Sequence, residues 1–305
     1  MKPRLRSIAP AAFAAIAALS IAACGDDSTG SEVPIATDDL QTVPPASTTM
    51  PPVPSTVPVT TAPSPGIEHP TGADDVVVRI AYEGGFVPAD YAFRNLPTLL
   101  VSGDGHAFQQ APMPDIYPGP LVPAVNVRTV TEQGIQDLLA LAEDNGLLAD
   151  VEYTSPTNIA DAPDTVVEIS ANGATYVHRA YALGISDETD PARLSLAEFV
   201  NAATGDWMNG ANAELGAEET LAPDAYLIRS MEVGDYTGDI APTVVDWPAD
   251  ASIRLADAAD CAELSAAEVG DLFANATQLT FFADGGITYQ LAVKPDLPGN
   301  GCAAG

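Results

Sequence analysis

The sequence predicts an α+β fold: antiparallel sheets, each with a helix packed on one face. Three observations lead there. Short runs rich in Val, Ile, Thr and Tyr recur between turn signals, as at 76–82, 165–170 and 175–181, which is how strands read. Apolar residues recur at helical spacing behind good N-caps in three places, beginning at 132, 191 and 265. The first and third of these helices are each followed by strands joined through a tight turn, so helices and hairpins share units.

The chain begins with Lys2, Arg4 and Arg6, then an apolar run from Ile8 to Ile21. A charged start before a short apolar stretch is a secretory signal. It closes on Ile21-Ala22-Ala23-Cys24. Those four residues resemble the lipobox of bacterial lipoproteins. The resemblance implies that residues 1–23 are cut away, that the Cys24 thiol is diacylated, and that the lipid on Cys24 holds an extracytoplasmic protein to the cell membrane. Two alternatives stay open. The run is shorter than the roughly 20 residues of a spanning helix, which counts against an uncleaved anchor. An ordinary signal cut after an alanine would leave Cys24 free.

Residues 24–73 read as a tether. Pro44, Pro45, Pro51, Pro52, Pro54, Pro58, Pro63 and Pro65 are mixed with Thr, Ser and Val, a composition that cannot bury a core. Proline biases such a stretch toward polyproline II at about 3.1 Å per residue, giving a reach on the order of 150 Å. The Thr and Ser density also admits O-glycosylation. His69 falls here and is expected to be solvated.

A first α+β unit with a connecting helix is expected over 74–205. Strands at 76–82 and 98–102 lead to a turn at Asp104-Gly105 and a return strand from His106. Five prolines between Pro112 and Pro123 exclude regular structure, since each fixes φ and removes a donor. Thr131 caps a helix from Glu132 to about Asn145, with Ile135, Leu138, Leu139 and Ala142 on one face and Gly146 as the stop. Strands at 151–154 and 165–170 follow, then Asn172-Gly173, the strongest hairpin signal present, and a strand at 175–181. Asp190 caps a second helix with Pro191 at its first position; Leu196, Phe199, Val200 and Ala203 form its apolar face and Gly205 its end.

A second unit is expected over 206–305. It opens with irregular chain and strands at 225–230 and 243–247. Ser265-Ala266-Ala267-Glu268 is a capping box, and Val269, Leu272, Phe273 and Ala276 give the helix one apolar face. Strands at 280–282 and 288–293 turn at Asp284-Gly285-Gly286. Residues 130–142 and 264–276 align without gaps at cap, staple and apolar face, with Asp137 over Asp271. This reads as two copies of one strands–helix–hairpin unit. The competing reading is that any capped amphipathic helix looks this way.

Charge and cysteine use bound the function. Forty-two acids stand against 11 Lys plus Arg, a surface that repels polyanions and excludes a nucleic-acid partner. Solubility explains the acidity, and cation binding is its functional alternative. With Cys24 lipidated, Cys261 and Cys302 remain, and an exported chain with one such pair forms one disulfide. Two cysteines are too few for a zinc site.

Catalytic motifs are absent from the sequence: no Gly-x-Ser-x-Gly, His-Glu-x-x-His, phosphate loop or EF-hand loop occurs. Ser102, Asp104 and His106 invite a triad reading, but neighbours on one hairpin rarely reach triad geometry. His178 alternates on a strand and is expected to face solvent. Asp187, Glu188 and Asp190 read as helix capping before calcium ligation. Trp207 and Trp247 read as core before ligand groove. No catalytic, cofactor or metal residue is assigned.

Tyr117-Pro118-Gly119-Pro120, the helix after it, Tyr181-Ala182-Leu183-Gly184 and Lys294-Pro295-Asp296-Leu297-Pro298 before Cys302 resemble actinobacterial lipoproteins to which no activity is assigned. The resemblance spans most of the body and implies export and anchoring, with no site residue carried over beyond Cys24. The expected function is a non-enzymatic binding or envelope-interaction module whose partner is an unidentified protein or envelope ligand. A hydrolase with a site around His106 or His178, and a cation-dependent binding module, are the alternatives.

Overall fold

A computed structural model describes residues 66–302 apart from 114, 186, 187 and 211. The signal, Cys24 and the tether through residue 65 lie outside the described residues. Two antiparallel-dominated sheets with helices form an α+β fold.

The first sheet contains β1 (Val76–Gly84), β2 (Leu99–Ser102), β3 (His106–Gln110), β4 (Val125–Thr129), β5 (Pro163–Ala171), β6 (Ala174–Tyr181) and β7 (Glu219–Thr220), in the spatial order β6-β5-β1-β2-β3-β4-β7. The short helix α1 (Ala89–Arg94) interrupts the path from β1 to β2. Helices α2 (Glu132–Asp144) and α3 (Pro191–Ala202) carry Ile135, Leu138 and Leu139 and Leu196, Phe199 and Val200 into a shared core with Ile80, Val101, Val167 and Ile169. The opposite face of β2 and β3 is also covered, by Leu96, Val125 and Leu297 against Leu100 and Phe108. All four β2 residues are buried, which explains a continuous apolar run where a one-sided strand would alternate.

The second sheet holds β8 (Ala225–Glu232), β9 (Thr243–Asp246), β10 (Ala262–Ser265), β11 (Thr280–Asp284) and β12 (Ile287–Pro295), ordered β10-β8-β12-β11-β9. Its one parallel pair joins β9 to β11. Helix α4 (Ala266–Ala274) packs Val269 and Phe273 against Tyr226, Ile228, Phe282 and Val293. Phe273 meets Tyr226 and Phe282 edge-on, at 5.3 and 6.1 Å between ring centres.

Local signals match local structure. Thr131 accepts from Gly134 N, Asp190 from Ala192 N, and Ser265 with Glu268 closes the capping box. Asn172 and Gly173 have φ of 54° and 75°, the left-handed pair a two-residue hairpin needs. Val130 and Ile135 share one core, Leu264 and Val269 the other, as the staples require. Asp137 and Asp271 are exposed.

Several expectations need correction. The strands–helix–hairpin unit occurs twice, but the strand order does not repeat. After α2 the hairpin pairs through its first strand, β5 with β1; after α4 it pairs through its second, β12 with β8. Four antiparallel steps make β4 parallel to β5, and three make β10 antiparallel to β11. Matched caps and faces therefore specify each helix locally and leave strand pairing to the rest of the core. Leu272 is only half-buried, at the rim of its core. Residues 151–154 form no strand: no neighbouring strand pairs with them, and the Tyr153 hydroxyl and the Thr154 carbonyl bond His178 and Arg193. The second helix does not stop at Gly205. It continues as a π-helical turn, Ala203–Trp207, which delivers Trp207 Nε1 to the Gly134 carbonyl at 3.1 Å. The stretch expected to be tether is docked from residue 66: the Gln136 amide receives Ile67 N at 2.7 Å and donates to Ile67 O at 2.9 Å. His69 accordingly lies against Pro70 O and Glu132 rather than in open solvent. Strands β4, β7 and β10 and helix α1 are additional to the elements expected from the sequence.

Candidate functional site

The sequence-predicted groups are placed as follows. Cys261 and Cys302 are joined, with Cα atoms 5.4 Å apart, tying the chain after β12 to the start of β10. Ser102, Asp104 and His106 meet, but in the wrong order for a triad. Asp104 Oδ1 accepts from Ser102 Oγ at 2.5 Å and faces His106 Nδ1 at 3.1 Å. The hydroxyl is thus bound to the acid, and Ser102 is fully buried. A nucleophile needs its hydroxyl on the base and open to substrate. Burial pushes the Asp104 carboxyl up, but Ser102 and His106 outweigh it and hold it below the usual range. The cluster closes the β2–β3 turn.

His178 does not face solvent; it is buried. Its Nε2 lies 2.8 Å from the Leu147 carbonyl and its Nδ1 2.8 Å from the Tyr153 hydroxyl. A carbonyl only accepts, so Nε2 carries the proton and the neutral ring accepts from Tyr153. Burial pulls the imidazole below its ordinary range, and burial raises the Tyr153 phenol to about 12. Both ring nitrogens are committed to structure. Asp190 caps α3 through one carboxylate oxygen, and both Glu188 oxygens grip Arg193. Asp187 lies outside the described residues. Trp207 and Trp247 are buried, and Trp247 Nε1 donates to Ile253 O at 3.0 Å. No group of three or more His, Cys, Asp or Glu side chains among the described residues is placed to hold a metal ion. No described helix is long and apolar enough to cross a membrane.

The site that reasoning from sequence missed is a cleft of about 620 Å³ where β1, α1 and β12 meet, so that both sheets contribute to it. Gly84 and Gly85, with φ of 77° and 78°, end β1 and turn Phe86 and Val87 outward. Phe86 is 90% exposed, Tyr91 55% and Tyr82 45%. These rings rim the cleft, and Arg79 and Lys294 line it. Arg79 reaches Glu83 at 2.8 Å, and Glu83 also holds Arg179 at 2.7 Å, which bonds Asp164 at 2.9 Å. Burial alone would raise the Glu83 carboxyl; the two arginines outweigh it and lower it. Lys294 lies with its ammonium 5.1 Å from the centre of the Phe93 ring. Burial first, and the neighbouring Arg79 guanidinium second, pull its pKa below the ordinary lysine range.

A signal for this site exists in the sequence. Arg79 and Lys294 are single charges inside otherwise apolar strand runs, and Phe86 follows a double glycine. Their convergence depends on β12 of one sheet approaching β1 of the other, which no local pattern encodes. No family model, curated protein or solved structure matches the chain.

Proposed function

We propose that this protein is a lipid-anchored, extracytoplasmic binding module, tethered through Cys24 and presenting the β1–α1–β12 cleft to ligand. The observation that carries the binding reading is the lining of that cleft: exposed Tyr82, Phe86 and Tyr91 around a recess that holds Arg79 and Lys294. A recess of about 620 Å³ lies within the range of small-molecule sites, roughly 300–1,000 Å³. Exposed rings supply large, rigid contact area at low entropic cost, and polar groups at the floor fix orientation. The lipobox supports the anchor, and the acidic surface keeps the body away from anionic headgroups.

The test is residue mapping. Full-length, isotope-labelled protein is titrated with pools of small aromatic and polar compounds, and perturbed resonances are assigned. Saturable changes centred on Tyr82, Phe86, Tyr91 and Lys294 are expected. Saturable changes confined to another surface would refute the assignment of the cleft.

A further inference from the structure

We propose that the β1–α1–β12 cleft selects a small organic anion, whose charge seats against Lys294 and whose apolar body lies on Tyr82, Phe86 and Tyr91. This rests on the binding reading above and specifies the chemistry of its ligand.

Lys294 is the only lysine beyond residue 2, in a chain with 42 acids. Its treatment differs from that of every arginine in the body. Arg79, Arg94, Arg179, Arg193 and Arg254 are each in an ion pair. Arg128 and Arg229 donate to backbone carbonyls. Lys294 instead rests on the Phe93 ring, and no described carboxylate is in an ion pair with it. A ring face steadies an ammonium without neutralising it. The cleft therefore retains a partly desolvated ammonium with no described ion-pair partner, and Arg79, itself paired with Glu83, also lines it.

The carboxylates around it do not cancel that charge. Glu83 is taken by Arg79 and Arg179. Asp296, two residues along β12 and just past its end, influences Lys294 only at a distance, and burial raises its own pKa. Asp161 lies at the cleft lining with Pro163 and disfavours ligands with negative charge spread over their whole length. A partly buried cation without a counter-ion is costly, and an entering anion relieves that cost through a charge-assisted hydrogen bond. The exposed rings then favour an apolar or ring-bearing body over inorganic phosphate. A free small molecule fits better than a membrane surface, because a formal charge of −31 repels anionic bilayers.

The test pairs two probes of one ring system, naphthalene-1-sulfonate and uncharged 1-naphthol, titrated calorimetrically into the full chain. The sulfonate is expected to bind at least about tenfold tighter. Lys294→Gln should erase that preference, bringing the two affinities together, and Phe86→Ala should weaken both. A second measurement uses the unaltered protein: bound sulfonate should slow reductive methylation at residue 294, read by mass. Equal affinity for the two probes in the parent protein, or a preference that survives Lys294→Gln, would overturn the anion inference and leave the binding module standing. Unchanged methylation under saturating sulfonate would do the same. Binding of neither probe, or attachment only to phosphatidylglycerol vesicles, would overturn the inference; only failure of the residue mapping as well would reject the cleft as a binding site.

Discussion

Glu188 grips Arg193 through two parallel bonds, 2.6 Å to Nε and 2.7 Å to Nη2, with the arginine 3% exposed. Nη1 donates to the Thr154 and Tyr181 carbonyls, both at 3.1 Å. One guanidinium thus ties the 151–154 segment, the end of β6 and the start of α3 together, with Arg193 holding the Glu188 carboxyl below its usual range. Glu188→Ala leaves a buried charge without its partner, and about 3–5 kcal/mol of stability should be lost. Adding Arg193→Met should restore much of it. Urea midpoints of the two single variants and the double variant check this; a Glu188→Ala loss under about 1 kcal/mol would contradict it.

Stability should fall on mild acidification through His178. Its folded-state pKa lies below the ordinary value of 6.5. Below about pH 6.5 the unfolded chain takes up a proton that the folded chain refuses. The contribution is therefore complete above that pH and is lost as pH falls toward the folded-state pKa. Tyr153, the Leu147 carbonyl and, at longer range, Asp150 are the groups that face the ring. Tyr153→Phe removes the donor to Nδ1 and should cost about 1–3 kcal/mol. Thermal midpoints between pH 7.5 and 5.5 should decline in the parent and decline less in His178→Phe; parallel curves would reject this role.

Burial ranks the helix substitutions. Leu138 is fully buried and Phe273 is 1% exposed, so Leu138→Ala should cost about 2–5 kcal/mol and Phe273→Ala about 3–5. Leu272, at the rim, should cost visibly less than Leu138. Asp137→Ala should change little, since Asp137 only accepts a surface bond from Gln133. Chemical denaturation that finds Leu272→Ala as damaging as Leu138→Ala would contradict this ranking.

The Cys261–Cys302 bridge spans a sequence separation of 41. Closing such a loop stabilises by up to about 4 kcal/mol in the chain-entropy view. Non-reducing peptide mapping should recover the joined peptides, and Cys302→Ser should lower the thermal midpoint. Two free thiols in protein purified from the envelope would count against it.

What was legible in the chain was local. Thr131, Asp190 and Ser265 cap where their side chains dictate, Asn172-Gly173 turns as its φ values require, and the apolar faces of α2 and α4 point inward. What failed depended on distant partners. Val151–Thr154 has strand composition but no neighbouring strand. Gly205 is a helix breaker, overridden because Trp207 finds the Gly134 carbonyl. His178 alternates as a surface residue would, yet the chain after α2 folds over it. The cleft needed both sheets before Arg79, Tyr82 and Lys294 could be seen as neighbours.

Anchoring at Cys24 is the part of the proposed function that rests on the sequence alone, and it is open to direct measurement. Protein expressed with its own signal is recovered from membranes and its N-terminal peptide weighed. The expected result is a chain that begins at Cys24 with a diacylglyceryl group on the thiol, and a Cys24→Ala variant that is either unprocessed or released from the membrane. A membrane-bound chain that still begins at Met1, or one that is cut but carries a free Cys24 thiol, would contradict it.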